Sequence, residues 1–223
     1  MQDSPDNLLC LRPSRETSPK VTVCVPTVNR IEFLRDALES IAAQTYRSFE
    51  VLVSDNSGDP GYSARVTTLV ESFRSPHFRV LHQPCRLEMA RHASLLTGMG
   101  AGVYWCYLPD DDRLCPRFLE TLTAALERHA EAAFAFSDHW IIADRGNRDD
   151  VATAATTRRY GRDRIPEGIV SRATLKALAL GQSFELQSML FRRDIIHSLR
   201  FDERASLVPD FDLQLRLAVH PAV

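Results

Sequence analysis

From Lys20 to His129 the chain alternates between short runs rich in β-branched and aromatic residues and longer stretches with apolar residues at helical spacing. Val21–Val25, Phe49–Val53, Phe78–Leu81 and Val103–Leu108 read as strands, and Ile31–Ala43, Tyr62–Phe73, Glu88–Met99 and Pro116–His129 as helices. Pro116 suits a first helical turn, where no amide hydrogen is needed. A strand must find partners and a helix must bury its apolar stripe. The alternation therefore predicts an α/β class, a three-layer α/β/α sandwich around a mostly parallel sheet. Ligands of such sheets bind beyond the carboxyl ends of the strands. Those ends read Pro26-Thr-Val-Asn-Arg30, Ser54-Asp-Asn-Ser-Gly-Asp59 and Pro109-Asp-Asp-Asp-Arg113, so one edge of the sheet carries the polar chemistry.

Beyond Ala132 the regularity weakens. Ala133–Ile142 is expected as a strand, Asp144–Glu167 as a mobile loop without periodicity, Ser171–Leu180 as a helix, Phe184–Phe191 as a strand and Leu207–Val219 as a closing helix. Residues 1–19 combine Pro, Ser, Asp, Arg and Glu without apolar periodicity and read as a flexible leader, which leaves 20–223 as one domain.

Charge and cysteine usage exclude several classes. A net charge of −2 with scattered Lys and Arg offers no basic stripe for a nucleic-acid backbone. Five cysteines, odd in number and without C-x-x-C spacing, fit neither a disulfide framework nor a zinc knuckle, and point to reduced thiols in a cytosol. No apolar run approaches the roughly 18 residues of a spanning helix. Asn7–Leu11 is too short and acid-flanked for a signal peptide, so a cytoplasmic location is expected.

Asp110-Asp111-Asp112 is the strongest local signal. Three adjacent carboxylates repel one another, and a hard divalent cation such as Mg²⁺ or Mn²⁺ is a natural partner for clustered oxygens. A solvated capping loop explains the same three residues equally well. Asp55 reads as a ligand acceptor at a strand end or as a turn residue ahead of Gly58. Pro26–Arg30 contains neither G-x-G-x-x-G nor G-K-[ST], so phosphate must be met by other means. Gly98-x-Gly100-x-Gly102 precedes a strand rather than opening a helix, which makes it a helix-ending connection.

Together these segments resemble the inverting family 2 glycosyltransferases of the nucleotide-diphospho-sugar transferase superfamily. That likeness implies a Rossmann-like GT-A fold over most of Lys20–Val219, with a nucleotide-binding half at 20–115 and an acceptor-side half at 116–223. The second half ends at Val223, in the variable region where the family reads its acceptor. Val21–Arg30 resembles the family's opening strand and turn, and Gln44-Thr45-Tyr46 with Phe49-Glu50-Val51 its lead into the second strand. The resemblance implies that Pro26, Thr27, Asn29, Arg30, Asp55, Arg91 and Asp110 bind the nucleotide sugar, with Asp55 on the base. Arg91 comes from Ala90-Arg91-His92, where the family commonly has Ala-Arg-Asn; a surface helix charge is the plain alternative. Tyr107–Pro116 is similar to the metal-binding segment, with Pro109 in place of its first Asp, and implies Asp111 and Asp112 as metal ligands.

Pro209-Asp210-Phe211-Asp212-Leu-Gln-Leu-Arg216 is similar to the family's Glu-Asp-aromatic-Asp-x-x-x-Arg segment, with Pro209 in place of Glu. It implies Asp210 as catalytic base, where the local reading alone also allows a helix N-cap. Ser188–Arg192 resembles the preceding strand, and Gln187 is placed on the acceptor side. The implied activity is metal-assisted, inverting transfer of a hexosyl-type sugar from a nucleotide diphosphate sugar, UDP-linked by default, to a carbohydrate or lipid-linked acceptor, as in polysaccharide biosynthesis. A lipid-linked acceptor would allow peripheral membrane association. The competing readings are a non-catalytic nucleotide-sugar-binding module and a sugar-phosphate nucleotidyltransferase; the latter normally carries a Gly-rich signature after its first strand. A phospho-receiver domain is disfavoured because its acidic pair follows the first strand, whereas this triad follows the fourth.

Overall fold

The computed structural model describes residues 18–143, 146–205, 208–221 and 223. The leader expected at 1–19 lies outside them except for its last two residues.

A 6-stranded sheet of order β3-β2-β1-β4-β6-β5 forms the middle layer. Its strands are β1 Val21–Thr27, β2 Phe49–Asp55, β3 Phe78–His82, β4 Tyr104–Tyr107, β5 Phe134–Phe136 and β6 Met189–Arg192. β1 pairs in parallel with β2 and β4, and β2 with β3, while β6 runs antiparallel to both β4 and β5. The mostly parallel sheet and its three layers are as the alternation predicts. The helices are α1 Ile31–Ala42, α2 Pro60–Ser72, α3 Met89–Thr97, α4 Phe118–Arg128, α5 Asp150–Arg159, α6 Arg172–Leu180, α7 Arg193–Leu199 and α8 Pro209–Val219.

Side-chain alternation along β1 separates the layers. Val21, Val23 and Val25 join a core with Leu34, Leu38 and Ile41 of α1, Val66 and Leu69 of α2, and Leu119, Leu122 and Leu126 of α4. Cys24 points the other way, into a core of Trp105, Phe191, Leu96 of α3, Leu175 of α6, Ile196 of α7, and Leu213 and Leu217 of α8. Trp105 is fully buried and donates from Nε1 to the Leu96 carbonyl at 3.1 Å, so its indole covers apolar area without an orphaned N–H.

The glycine-rich link between α3 and β4 ends the helix, as expected, and passes tightly under β1. Gly98 is the C-cap, and Gly100 has φ +87°. A Cβ at Gly102 would stand 2.5 Å from the Thr22 amide nitrogen, so no larger residue fits there without displacing β1.

The second half departs from the sequence reading in four places. The stretch expected as a loop at 144–167 contains α5 and a 3-10 turn, Arg162–Arg164. α5 has no apolar stripe, since Thr153 is its one buried residue, and its stability comes from its ends instead. Asp149 accepts from the Ala152 amide at 2.8 Å, and Arg158 and Arg159 lie in the last turn. The strand expected at 133–142 is limited to 134–136, because β5 is an edge strand paired to β6 over three residues. The strand expected at 184–191 begins at Met189, after a 3-10 turn Leu186–Ser188. α7, directly following β6, was not anticipated, its buried contribution being only Ile195 and Ile196.

Candidate active site

The register of the first three strands brings Thr27, Asp55 and His82 side by side at the carboxyl edge. Asp55 is 1% exposed and fully engaged. It accepts from the Ser57 amide at 2.9 Å, from His82 Nδ1 at 3.1 Å, and from the Ser63 hydroxyl of α2. Burial pushes this carboxyl upward, but the bonds from Ser63, Ser57 and His82 more than reverse it and hold it below the usual range. Thr27 Oγ1 lies 2.7 Å from the Tyr62 hydroxyl, which also accepts from the Arg30 amide at 3.0 Å. Asn29 between them has φ +56°, a left-handed conformation that Asn tolerates, and it turns the chain from β1 into α1. Pro26 stands in register with Ser54.

Beyond β3 the chain is clipped to this edge. Asn56 donates to the Leu87 carbonyl at 3.0 Å and accepts from the Leu87 amide at 2.8 Å, and His92 Nε2 lies 2.7 Å from Ser54 Oγ. Burial holds the His92 imidazole down at about 4, against a weaker upward pull from Asp55. His92 is therefore a neutral packing partner of the Asp55 strand, while Arg91 beside it in the first turn of α3 is exposed.

β4 delivers the carboxylate triad. The Leu108 amide extends the ladder to the Cys24 carbonyl at 2.9 Å, and Pro109 then opens a turn closed by the Asp112 amide on the Pro109 carbonyl at 3.2 Å. Asp110 is 0% exposed, Asp111 is exposed and Asp112 half-buried. Arg30 spans the first two, with Nη2 at 2.5 Å from Asp110 Oδ1 and Nη1 at 2.7 Å from Asp111 Oδ2. The Asp110 contact with Arg30 is an ion pair, and the Thr27 hydroxyl and Val28 amide face the carboxyl without reaching strict hydrogen-bond geometry. Burial pushes the Asp110 carboxyl above its ordinary value, opposed first by Thr27 and then by Arg30. Burial, then Asp111 and Glu185, push Asp112 up to about 6.

Asp210 lies in the first turn of α8 and is exposed. Val208 rather than Asp210 is the N-cap, so the capping alternative does not apply. The helix is held by Arg216, which donates to Asp212 at 2.7 Å and to the Leu199 and Arg200 carbonyls at 2.7 and 2.8 Å. Burial first, and the charges of Asp110 and Asp210 among other groups, push the Tyr107 phenol upward. Tyr107 thus lies within electrostatic reach of both the triad and Asp210.

Glu185 was not singled out in the sequence. It is half-buried just before the 3-10 turn that leads into β6, and its carboxyl is raised by burial and then by Asp210, with Arg162 opposing. Glu185 in turn raises Asp112, so it is within electrostatic reach of both acidic groups. Its only sequence signal is a lone acid in the apolar run Phe184-Glu-Leu186. Arg162, also missed, is buried; it donates to Asp138 at 2.7 Å and to Thr157 at 2.9 Å, tying the α5 segment to the loop after β5. Depressions of about 410 and 400 Å³ beside α2 contain none of these groups.

The triad fits a hard divalent cation by its donor chemistry: a fully buried carboxylate beside one exposed and one half-buried carboxylate. Among the described residues no three metal-ligating side chains already converge, and the guanidinium of Arg30 lies between the two nearest.

The family model "Glycosyl transferase family 2" matches residues 22–177. An uncharacterized glycosyltransferase, YibD, of Escherichia coli is 27% identical over 184 residues, which is 79% of this chain and 49% of that protein. A GalNAc(5)-diNAcBac-PP-undecaprenol beta-1,3-glucosyltransferase of Campylobacter jejuni is 32% identical over 105 residues, 47% of this chain and 33% of that one. Among solved structures, S. aureus TarS 1-349 in complex with UDP-GlcNAc superposes with a TM-score of 0.63 at 16% identity, covering 87% of this chain and 52% of that one. The mannosyltransferase PcManGT from Pyrobaculum calidifontis, in complex with GDP-Man and Mn²⁺, gives 0.58 at 18% identity, covering 91% and 54%. At these identities the two structures establish the fold, and the chain spans half or less of the two curated relatives named and about half of the two structures.

Proposed function

The chain belongs to glycosyl transferase family 2, with a GT-A fold, and from that premise we propose that it transfers a sugar from a nucleotide diphosphate sugar to an acceptor hydroxyl with inversion at the anomeric carbon. The observation that carries this reading is the acidic edge set by β6 running antiparallel beside β4, where Tyr107 is within electrostatic reach of Asp110 and Asp210, and Glu185 of Asp112 and Asp210.

Asp55, held ionised by three donors, is the acceptor for the nucleobase, and Thr27 and Tyr62 shape the nucleoside end. Arg30 and Arg91 meet the diphosphate, and Asp110 the ribose side. Asp111 and Asp112 hold the divalent cation, which when bound supplies charge neutralisation for the departing diphosphate oxygen. Asp210 takes the proton of the acceptor hydroxyl as its oxygen bonds to the anomeric carbon, while the bond to the nucleoside diphosphate breaks on the opposite face. An ordinary aspartate is a weak base, so the proton moves late, as positive charge develops on the sugar ring. UDP is the nucleotide we favour, in keeping with the UDP-GlcNAc bound by TarS, and a lipid-linked acceptor is in keeping with the name of the Campylobacter relative.

The test is Asp210→Asn. It is expected to lower transfer from a radiolabelled UDP-sugar pool by about a thousandfold while UDP still raises the melting temperature. Full transfer by this variant would remove Asp210 from the mechanism. Loss of UDP binding together with transfer would assign it to the donor site instead.

A further inference from the structure

Arg30 is one positive charge facing three consecutive carboxylates, and it reaches them from 81 residues away in sequence. Its backbone is anchored by the bond from its amide to the Tyr62 hydroxyl, while its side chain remains 46% exposed and free to reorient. Asp110 is fully buried, and the guanidinium is its ion-pair partner; the Thr27 hydroxyl and the Val28 amide also favour its ionised form, but neither carries a charge. Without Arg30 a buried carboxylate would lose its ion-pair partner, at considerable cost.

We infer that Arg30 is a resident counter-ion of the donor-free site, which the nucleoside diphosphate draws away from Asp110 and Asp111, so that the cation and the diphosphate bind cooperatively through this one side chain. The inference rests on the proposed donor and cation sites and adds to them the order imposed by charge. A guanidinium 2.7 Å from Asp111 Oδ2, and held there by Asp110 Oδ1 at 2.5 Å, fills the space in which the Asp111 oxygen would meet a cation, and a divalent ion added beside it would face a like charge at close range. The arriving diphosphate changes the balance. Its oxygens offer the planar fork of Arg30 a bidentate partner, and the carboxylates left behind are then open to the cation. Binding linkage requires the converse as well, the cation tightening the diphosphate by the same factor.

The test is calorimetric titration of Mn²⁺ into the full chain, alone and with saturating UDP, alongside two variants and a control. In the wild type UDP is expected to raise Mn²⁺ affinity about tenfold or more. Arg30→Met is expected to bind Mn²⁺ alone several-fold more tightly than wild type and to lose most of the UDP effect, and Arg30→Lys, which keeps the charge but not the fork, to fall between. Arg113→Met is the control for a general change in charge, because Arg113 lies next to the triad in sequence but pairs with Asp36; it should behave as wild type. If Arg30→Met binds Mn²⁺ alone no better than wild type, or if Arg113→Met gains as much, the counter-ion role is overturned while the cation site stands. A wild-type chain that binds Mn²⁺ neither with nor without UDP overturns the cation site and this inference together.

Discussion

The sheet edge at the ends of β1, β2 and β3 and the acidic edge from β4 onward are built in opposite ways. At the ends of β1, β2 and β3 every polar group has a partner: Asp55 has three donors, Thr27 is bonded to Tyr62, and Ser54 is bonded to His92 and Gln83. Across β4, among the described residues, the carboxylates of Glu185 and Asp210 make no hydrogen bond or ion pair, and those of Asp110 and Asp111 share one guanidinium. The contrast separates two kinds of site. One is finished by the fold and rigid before any ligand arrives; the other keeps charges apart from protein partners and available for chemistry, at a cost in stability that a bound ligand would offset.

If the contrast holds, the largest effect comes from the unpartnered side and is confined to activity. Asp210→Asn should lose about three orders of magnitude in transfer rate while its unfolding free energy in urea stays within about 0.5 kcal/mol of wild type. A large loss of stability would mean that Asp210 is structurally engaged. Next, Asp55→Ala should show the reverse emphasis. It removes the shared acceptor of Ser63, Ser57 and His82, and because Ser57 and Ser63 are half-buried and His82 is exposed these donors can partly rehydrate, so it should cost about 1–2 kcal/mol of stability and weaken UDP binding in the same preparation. Equilibrium unfolding with and without UDP separates the two losses.

Arg162→Met probes the scaffold beside β5, where Arg162 ties α5 to the loop after that strand. The loss of its bonds to Asp138 and Thr157 should cost about 2 kcal/mol, tempered because Asp138 is 60% exposed and can rehydrate. Nucleotide affinity should be unchanged; a weakened UDP site would show that the two sides are coupled.

The smallest effect at neutral pH is expected for His92→Gln, about 1 kcal/mol for one hydrogen bond. Its signature is instead in acid. Burial holds the folded imidazole at about 4 against 6.5 for an ordinary histidine. The unfolded chain therefore binds the extra proton between those values, and the stability contributed by the neutral ring, complete above 6.5, is lost as the pH falls toward 4. His92→Gln should flatten that part of the stability profile. Parallel acid limbs in the two proteins would contradict a buried neutral ring.

Much of this was legible in local sequence. Helical and strand periods are properties of neighbouring residues, so β1 to β4 and α1 to α4 could be placed within a few residues, and the carboxylates at the ends of β2 and β4 followed from the parallel order those elements require. α5 was not legible, because its stability comes from the Asp149 cap and its terminal arginines rather than from an apolar stripe. Glu185 was not legible either: its meaning depends on β6 running antiparallel beside β4, which delivers the start of β6 to the same edge as Asp112.

The sequence by itself thus determined the layered α/β architecture and which edge would hold the acids, since both follow from periodicity and from the chirality of parallel connections. Only the tertiary structure decided which of those acids are buried, which are paired and with what. Arg30 meets Asp111 across 81 residues and Arg162 meets Asp138 across 24. Such contacts are set by how distant turns pack against one another, and no local pattern of residue types records that distance.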